Sequence, residues 1–583
     1  MSDGERTKMP DDAWMLRPEY AAQESPVFRA LWTDQASAEL FRGSLISAAE
    51  VRPAVARVQA ACEQIVQRAL ADHALYDATG KLSSTVLAQL AAAGYWGLLI
   101  DTPFGGSGAT WTEFMPFLTR MARHSGTVAG LAAVHGCIGA AGQVQRFGNP
   151  RQQERWLPQL AAGQRLAAFA LTEPGAGSDL TRLQTRATRR GDEWSITGEK
   201  LFITNAACGR TIGLVCLVDD HPAVIICDLP AEENENFQLV HYDLHALQHN
   251  LNRGIRLRDF RVPLENLITP PRGDGLTIAY HGLNRGRVAL CAQAAGTMRR
   301  LLASMVTWSG ERITHGQPLL SRELVLRRIG RLAALIIGCD ALTAWCATLL
   351  DRGYRGELEC VVAKVFASDA LREAAVELAL KTHGGRSFLK GNLVGDYLHD
   401  YLATSIYEGE SELLSLAFIR TVTKPPRESA GSSTTRATST TVGVSSPIFH
   451  GGNDVASISW GGDVRSAAAR LASHSGTTAV LTQLRGMAVE LAEAQRRHGA
   501  ALADRQCLLV ELSQRIQRLV IQLVAGQYGE RHPDARVRAA TSVLIDDLQR
   551  TLSGHRPTAD EYERVVELGR LVSVDGLPLI GGS

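Results

Sequence analysis

The stretch Leu166-Ala167-Ala168-Phe169-Ala170-Leu171-Thr172-Glu173-Pro174-Gly175-Ala176-Gly177-Ser178-Asp179 is where the chain changes its hydrophobic period. A short apolar run, Leu166–Leu171, breaks into a proline and two glycines, the pattern of a strand entering a turn. Five more short runs follow: Trp194–Thr197, Leu201–Thr204, Ile212–Val218, Ala223–Cys227 and Ile255–Val262. They are rich in β-branched or aromatic residues and separated by turn signals such as Arg189-Arg190-Gly191-Asp192. Strands in sequence without intervening helices predict an antiparallel sheet or small barrel over residues 166–274.

Outward from this region both flanks are helical. Over 46–165, Val55, Val58, Cys62, Ile65 and Ala69 recur on one face of a 3.6 period. Glycine breaks at Phe104–Gly108 and Phe147–Pro150 divide this domain into several helices, and Gly136, Gly139 and Gly142 permit close packing. Over 275–423 the segments Leu283–Val306, Glu323–Leu349 and Glu357–Lys381 predict the long helices of a four-helix bundle. Residues 1–45 read as a polar N-terminal arm. Residues 424–463, rich in Pro, Ser, Thr and Gly, read as a flexible linker, and 464–583 as a tethered helical extension. The expected fold class is mostly α with a central antiparallel β domain.

Composition narrows the function. A chain of 583 residues predicts about three to four domains. Apolar residues at 45% and charged residues at 21% exclude wholesale disorder. A formal charge of +1 supplies no electrostatic case for a nucleic-acid partner. No run of about 18 apolar residues predicts a membrane span, and the N-terminus lacks the apolar core of a signal peptide. The ten cysteines are scattered without a CxxC pair or zinc spacing, so free thiols, no metal and a cytoplasmic location are expected.

Three motifs carry chemistry. The turn at 172–179 exposes backbone N–H groups beside the Thr172 and Ser178 hydroxyls, donors suited to an isoalloxazine edge or a pyrophosphate, and equally an ordinary strand-to-loop turn. It is not a GxGxxG inside a strand–helix–strand unit, which disfavours a Rossmann site. In Gly198-Glu199-Lys200-Leu201-Phe202-Ile203-Thr204-Asn205, Phe202 and Thr204 share a strand face, an aromatic plate beside a hydroxyl. A half-buried strand with an inward aromatic has the same pattern. In Asp400–Glu412, Glu408 follows an apolar pair and precedes Gly409, and burial there would raise its pKa toward that of a general base. The alternative is an acidic cap on the helix starting near Ser411, a role for which Glu410 and Glu412 are better placed.

Together these motifs resemble the acyl-CoA dehydrogenase family, in its order and spacing, over about residues 50–422. Supporting matches are Gly94–Gly97 leading to Phe104–Gly108, Phe147–Asn149 through Arg155–Pro158, Phe260–Pro263, Ala363–Ser368 and His383–Gly385. The resemblance implies bound FAD and oxidation of a saturated acyl thioester, on CoA or an acyl-carrier protein, to its trans-2-enoyl form. Glu408 would remove the α-proton while the β-hydride passes to flavin N5. The Glu408 backbone N–H and a flavin ribityl hydroxyl would hold the thioester carbonyl, at roughly 3–4 kcal/mol per oriented donor.

By the same resemblance Phe169, Leu171, Thr172, Gly177, Ser178, Phe202, Ile203, Thr204, Arg312, His315, Glu323, Lys381, Gly384, Gly385 and Glu410 approach FAD. Ser178, Asn284, Arg287, Tyr407 and Gly409 approach the substrate. The family's alternative base position falls on Gly286, which cannot act as one. Departures are His315 for a phenylalanine, Glu323 and Lys381 for glutamines, Glu410 for a threonine and Asn284 for an aspartate. Glu323 and Lys381 would suit each other as a charge pair. Electron-transfer flavoprotein or another acceptor is the implied redox partner.

The extension is similar in placement to that of very-long-chain members, implying a homodimer. It carries 15 arginines and no lysine against 13 acids over 464–583, which argues against the DNA-binding branch of the family. A flavin oxidase or monooxygenase on this fold, and a binding or scaffolding member without FAD, are the alternatives.

Overall fold

The computed structural model describes residues 25–33, 36–45, 48–423 and 476–579. The expected linker, the start of the extension and most of the N-terminal arm lie outside the described residues. The chain divides into two units, one comprising Arg42–Ser411 with Val524–Ser583, the other Met1–Phe41 with Glu412–Leu523.

In the larger unit the first domain is helical, with Pro53–Ala71, Trp111–His124, Gly126–Ala132, Ala140–Phe147 and Pro150–Ala161 among its helices. The break at Phe147–Pro150 is a helix start. Asn149 and Gln152 form a reciprocal cap and Pro150 opens the helix, where its missing N–H costs nothing.

The sheet comprises β1 Ala167–Ala170, β2 Arg186–Arg190, β3 Glu193–Thr204, β4 Thr211–Val218, β5 His221–Asp228, β6 Phe237–Val240, β7 Asn252–Pro263 and β8 Leu267–Ile268. Its order is β6-β7-β3-β2-β4-β5-β8, with β1 beside β4. Neighbours are antiparallel except for the parallel pairs β1–β4 and β2–β4. Two expected strands, 194–197 and 201–204, are one. β3 runs through both and takes up the mismatch against β7 in irregularities at Ile196/Gly198 and Lys200/Ile203. Ile196, Ile203, Leu214, Ile225, Phe237 and Ile255 lie in its core.

Three long helices follow: Gly275–Glu311, Glu323–Asp351 and Glu357–Glu373. The first begins at Gly275, capped by the Asp274 side chain, well before the expected Leu283. Residues Gly275–Gly282 are all buried, so the one-sided pattern that marks a surface helix is absent there. The segments Gly126–Phe147 and Glu323–Asp351 are long and apolar enough to cross a membrane, but both are mostly buried inside the protein.

The segment from Glu412, within the bundle expected over 275–423, does not lack partners in the smaller unit. There Trp32 Nε1 donates to Val422 O (2.9 Å), Gln517 Nε2 to Ser415 Oγ (3.1 Å) and an Arg420 N–H to Ala503 O (3.2 Å). Nor is the whole extension tethered, because Ala535–Ser553 and Ala559–Asp575 pack on helix Glu323–Asp351 within the larger unit. A Cβ added to Gly330 would lie 2.0 Å from Val565 O, and one on Gly569 2.1 Å from Leu326 O, so the helices cross backbone to backbone. Arg299, ion-paired with buried Asp340, donates to Pro578 O at 2.8 Å and ties down the segment after helix Ala559–Asp575.

Candidate active site

The loop carrying Glu408 lies between helices Leu398–Ala403 and Ser411–Val422. Glu408 has φ +59° and Gly409 φ +105°, a left-handed turn that an L-residue adopts only when its surroundings enforce it. Two buried cations do so. Lys364 Nζ, on helix Glu357–Glu373, donates to Ser405 O (3.2 Å), Gly409 O (2.5 Å) and Ser411 Oγ (3.3 Å). Arg287 Nε, on helix Gly275–Glu311, donates to Glu408 O at 3.3 Å and its Nη1 to Asn284 Oδ1 at 2.8 Å.

Both cations thus bond neutral oxygens rather than the carboxylate. Glu408 Oε2 is buried without a hydrogen-bond partner among the described residues. Burial pushes the Glu408 carboxyl up to about 7, against the opposing charges of Arg287 and Lys364. Its backbone N–H also has no acceptor among the described residues. Beneath it, a Cβ on Gly286 would sit 2.9 Å from Glu408 Oε1 and 2.5 Å from Ile138 Cδ1, so glycine there keeps the space beside the carboxyl open.

A second cluster sits where β1 and β3 meet. Lys200 Nζ bonds Glu173 Oε1 (2.8 Å) and Leu171 O (2.8 Å), while the amides of Gln184 (2.6 Å) and Thr185 (3.1 Å) donate to the same carboxylate. Both partners are buried, Lys200 to 1% and Glu173 to 5% exposure. Burial works against the Glu173 carboxylate, but Lys200 and these donors outweigh it and hold the pKa below its usual value.

The pair locks the 172–185 turn to β3, which continues into the bulge at Phe202. That residue has φ +56° and a ring 57% exposed, edge-on to Tyr242. Phe202 N donates to Tyr242 Oη (2.6 Å), Tyr242 Oη to Asn252 Oδ1 (3.1 Å), and Asn252 Nδ2 to Thr204 Oγ1 (3.0 Å). The loop leading from Tyr242 to Asn252 also reaches the Glu408 region, where Leu247 N donates to Asp400 Oδ1 at 2.5 Å.

The expected residues therefore divide. Phe169, Leu171, Thr172 and Thr204 are half-buried, while Gly177, Ser178 and Phe202 are exposed around the end of β3. Ile203 turns its side chain into the sheet core, 3% exposed, so only its backbone is available to a ligand. Tyr407 is 37% exposed beside Glu408. Asn284 and Arg287 are each 1% exposed and bonded as described, so in this structure they support the Glu408 loop instead of facing outward.

Arg312, His315, Glu323, Lys381, Gly384 and Gly385 lie exposed, and Glu410 is half-buried. His315 and Gly316, both at positive φ, form the tip of hairpin Ile313–Thr314/Gln317–Pro318. Lys381 pairs with Glu377 one helical turn away, not with Glu323.

Sequence reading assigned no role to Lys364, Lys200, Glu173, Tyr242 or Asn252. The first three stood inside quoted motifs, and a charged residue in an apolar helix run, as in Ala363-Lys364-Val365, was the available signal. The last two act through contacts 40 to 50 residues distant in sequence.

Family models agree with this geometry along the chain. Residues 53–164, 168–244 and 273–422 match the N-terminal, middle and C-terminal domains of acyl-CoA dehydrogenase. An acyl-CoA dehydrogenase of Bacillus subtilis is 30% identical over 345 residues, 59% of this chain and 90% of that protein. The mouse mitochondrial very long-chain specific enzyme is 28% identical over 359 residues, 59% of this chain but 54% of its own length. A Bacillus anthracis acyl-CoA dehydrogenase crystallised with FAD superposes with TM-score 0.71 at 19% identity, covering 92% of this chain and 98% of its own. That superposition reaches well beyond the segment matched by sequence, so the fold likeness takes in the extension. With the Glu408 loop and the β3 end inside the matched domains, the chain belongs to the acyl-CoA dehydrogenase family.

Proposed function

We propose that this chain binds FAD and dehydrogenates an acyl thioester at its α,β carbons, with Glu408 as the base. The observation that carries the proposal is half-buried Glu408, whose Oε2 is buried and unpaired and whose carboxyl is raised to about 7 between two cations bonded elsewhere. A carboxylate of that basicity is ionised in a useful fraction at neutral pH and accepts a proton far better than an ordinary glutamate. The unpaired Glu408 N–H offers one donor to the thioester carbonyl, where charge develops as the α C–H bond breaks. Gly286 leaves free the space that a Cβ would take from Glu408 Oε1.

The residues fit the cofactor. An exposed Phe202 ring held by the Tyr242 and Asn252 bonds, with Gly177 and Ser178 exposed on the turn that Lys200 ties to β3, suits a flat heterocycle and its polar edge. When bound, FAD supplies the two-electron acceptor for the β-hydride. The α-proton goes to Glu408, so the saturated thioester loses two hydrogens and gains the trans-2,3 double bond. Similarity to the FAD-bound Bacillus anthracis structure supports the same reading.

The proposal extends to a CoA or acyl-carrier thioester as substrate, an electron-transfer flavoprotein or other acceptor, a homodimer and a cytoplasmic location. Support for the dimer is the coverage of helix Glu323–Asp351 by the chain's own last helices, which removes that face from contact with other copies. Light scattering that shows a tetramer overturns the dimer.

The deciding experiment is anaerobic bleaching of the purified yellow protein with a panel of acyl-CoA and acyl-carrier thioesters. Glu408→Gln should bind the active thioester without bleaching. A variant that bleaches normally, or a protein that never takes up FAD, overturns the reading.

A further inference from the structure

The Lys364 ammonium has three protons and three acceptors, Ser405 O, Gly409 O and Ser411 Oγ, at 2.5–3.3 Å. The two carbonyls flank Glu408 and Ser411 opens the next helix, so one fully buried side chain joins both ends of the turn. That turn contains consecutive left-handed residues, and the one backbone bond across it among the described residues runs from Ser411 N to Ser405 O at 3.2 Å. Arg287 adds a bond at its centre, to Glu408 O.

We propose that Lys364 is the positioning residue for the base: its ammonium clamps the 405–411 turn and thereby aims the Glu408 carboxyl. The inference rests on the reading of Glu408 as base.

A neutral donor could satisfy the same oxygens. The ammonium does more, because its charge lies within reach of Glu408 without bonding it, which moderates the effect of burial on the carboxyl. Groups facing Glu408 are Arg287 on helix Gly275–Glu311, Lys364 on Glu357–Glu373, Cys137 on the turn before Gly139, and Tyr407 in the loop itself. Lys364 also faces Glu410 and Asp369, and burial pulls its own pKa down to about 8. Removing the Lys364 charge therefore leaves burial less opposed and raises the Glu408 carboxyl further.

The test compares Lys364→Met, Lys364→Arg and Glu408→Gln in the full-length FAD-loaded protein. Turnover is followed against pH and amide hydrogen exchange at 405–411. In Lys364→Met, exchange should quicken within that turn, kcat fall roughly tenfold to a hundredfold, and the acid limb move up by about one pH unit as a stabilising charge is lost. Lys364→Arg should restore the acid limb, because a guanidinium keeps the positive charge. Wild-type exchange and pH midpoints in Lys364→Met overturn the proposal. If Lys364→Met does not fold, Lys364→Gln takes its place, and wild-type exchange and pH midpoints in that variant overturn the proposal instead. Glu408→Gln separates the two readings. If it stays active, the base assignment fails, and if it is inactive while Lys364→Met behaves as wild type, only the clamp fails.

Discussion

Two glutamates of this chain lie beside a buried lysine, and their lysines behave in opposite ways. Lys200 bonds the Glu173 carboxylate directly, two amides complete its shell, and the carboxyl is held below its usual pKa. Lys364 lies near Glu408 but turns its protons to backbone carbonyls and a hydroxyl, leaving Oε2 unpaired and the carboxyl near 7. Residue type and a buried lysine alongside do not separate a structural carboxylate from a chemical one. What separates them is whether the neighbouring cation's hydrogen bonds reach the carboxylate or something else.

The widest expected break in this comparison is chemical. Glu408→Gln should lower kcat by roughly 10²- to 10⁴-fold, the usual contribution of a positioned base, with the fold intact by circular dichroism. The matching break at the structural pair is thermodynamic. Lys200→Met leaves Glu173 buried without its partner and should cost about 3–5 kcal/mol in urea unfolding. A cost under 1 kcal/mol would show that the amides alone suffice.

A third prediction uses pH. The Glu408 carboxyl binds its proton more tightly folded than unfolded, so its contribution to stability is full below about 4.5 and is lost as pH rises through about 7. Glu408→Gln removes that loss. Relative to wild type it should gain on the order of 1–2 kcal/mol between pH 5 and pH 8 in thermal melts, after allowance for solvent screening. Glu173, shifted downward, should show the reverse trend. Its stabilisation is present above the unfolded pKa and disappears as pH falls through the lower folded value.

Smaller effects sharpen the geometry. Gly286→Ala places a methyl against Ile138 and Glu408 Oε1, and should cost about 1–3 kcal/mol of stability and lower kcat with it. Phe202→Ala removes an exposed ring and should move stability by no more than about 0.5 kcal/mol. Its FAD should dissociate faster in dilution assays followed by flavin fluorescence. Unchanged FAD retention would take Phe202 out of the cofactor site.

Much of the fold was legible because it rests on local periodicity. The change from 3.6 to 2 at Leu166 marks the sheet, since alternating burial writes itself into neighbouring residues. The start of the Gly275 helix was not, because burial on every side erases the amphipathic signal. Nor was the union of 194–197 with 201–204, because Gly198 looks like a strand end when it is an irregularity within one strand. At the site, Glu408 and Phe202 stood out as unusual residues in recognisable strings. Lys364 and Lys200 stood in those strings too, but a lysine's role depends on which acceptors surround its ammonium, and these come from distant segments.

The sequence by itself determined the order of helical and β regions, the family, and the residue types that the chemistry needs. These are set by neighbours along the chain and by short motifs. The tertiary structure alone decided that the last helices join the bundle through the Gly330–Gly569 crossing, and that Arg287 and Lys364 point at carbonyls rather than at Glu408. Those outcomes depend on the direction of hydrogen bonds and on backbone approach between segments far apart in the chain. Neither leaves a periodic trace in the string of residues.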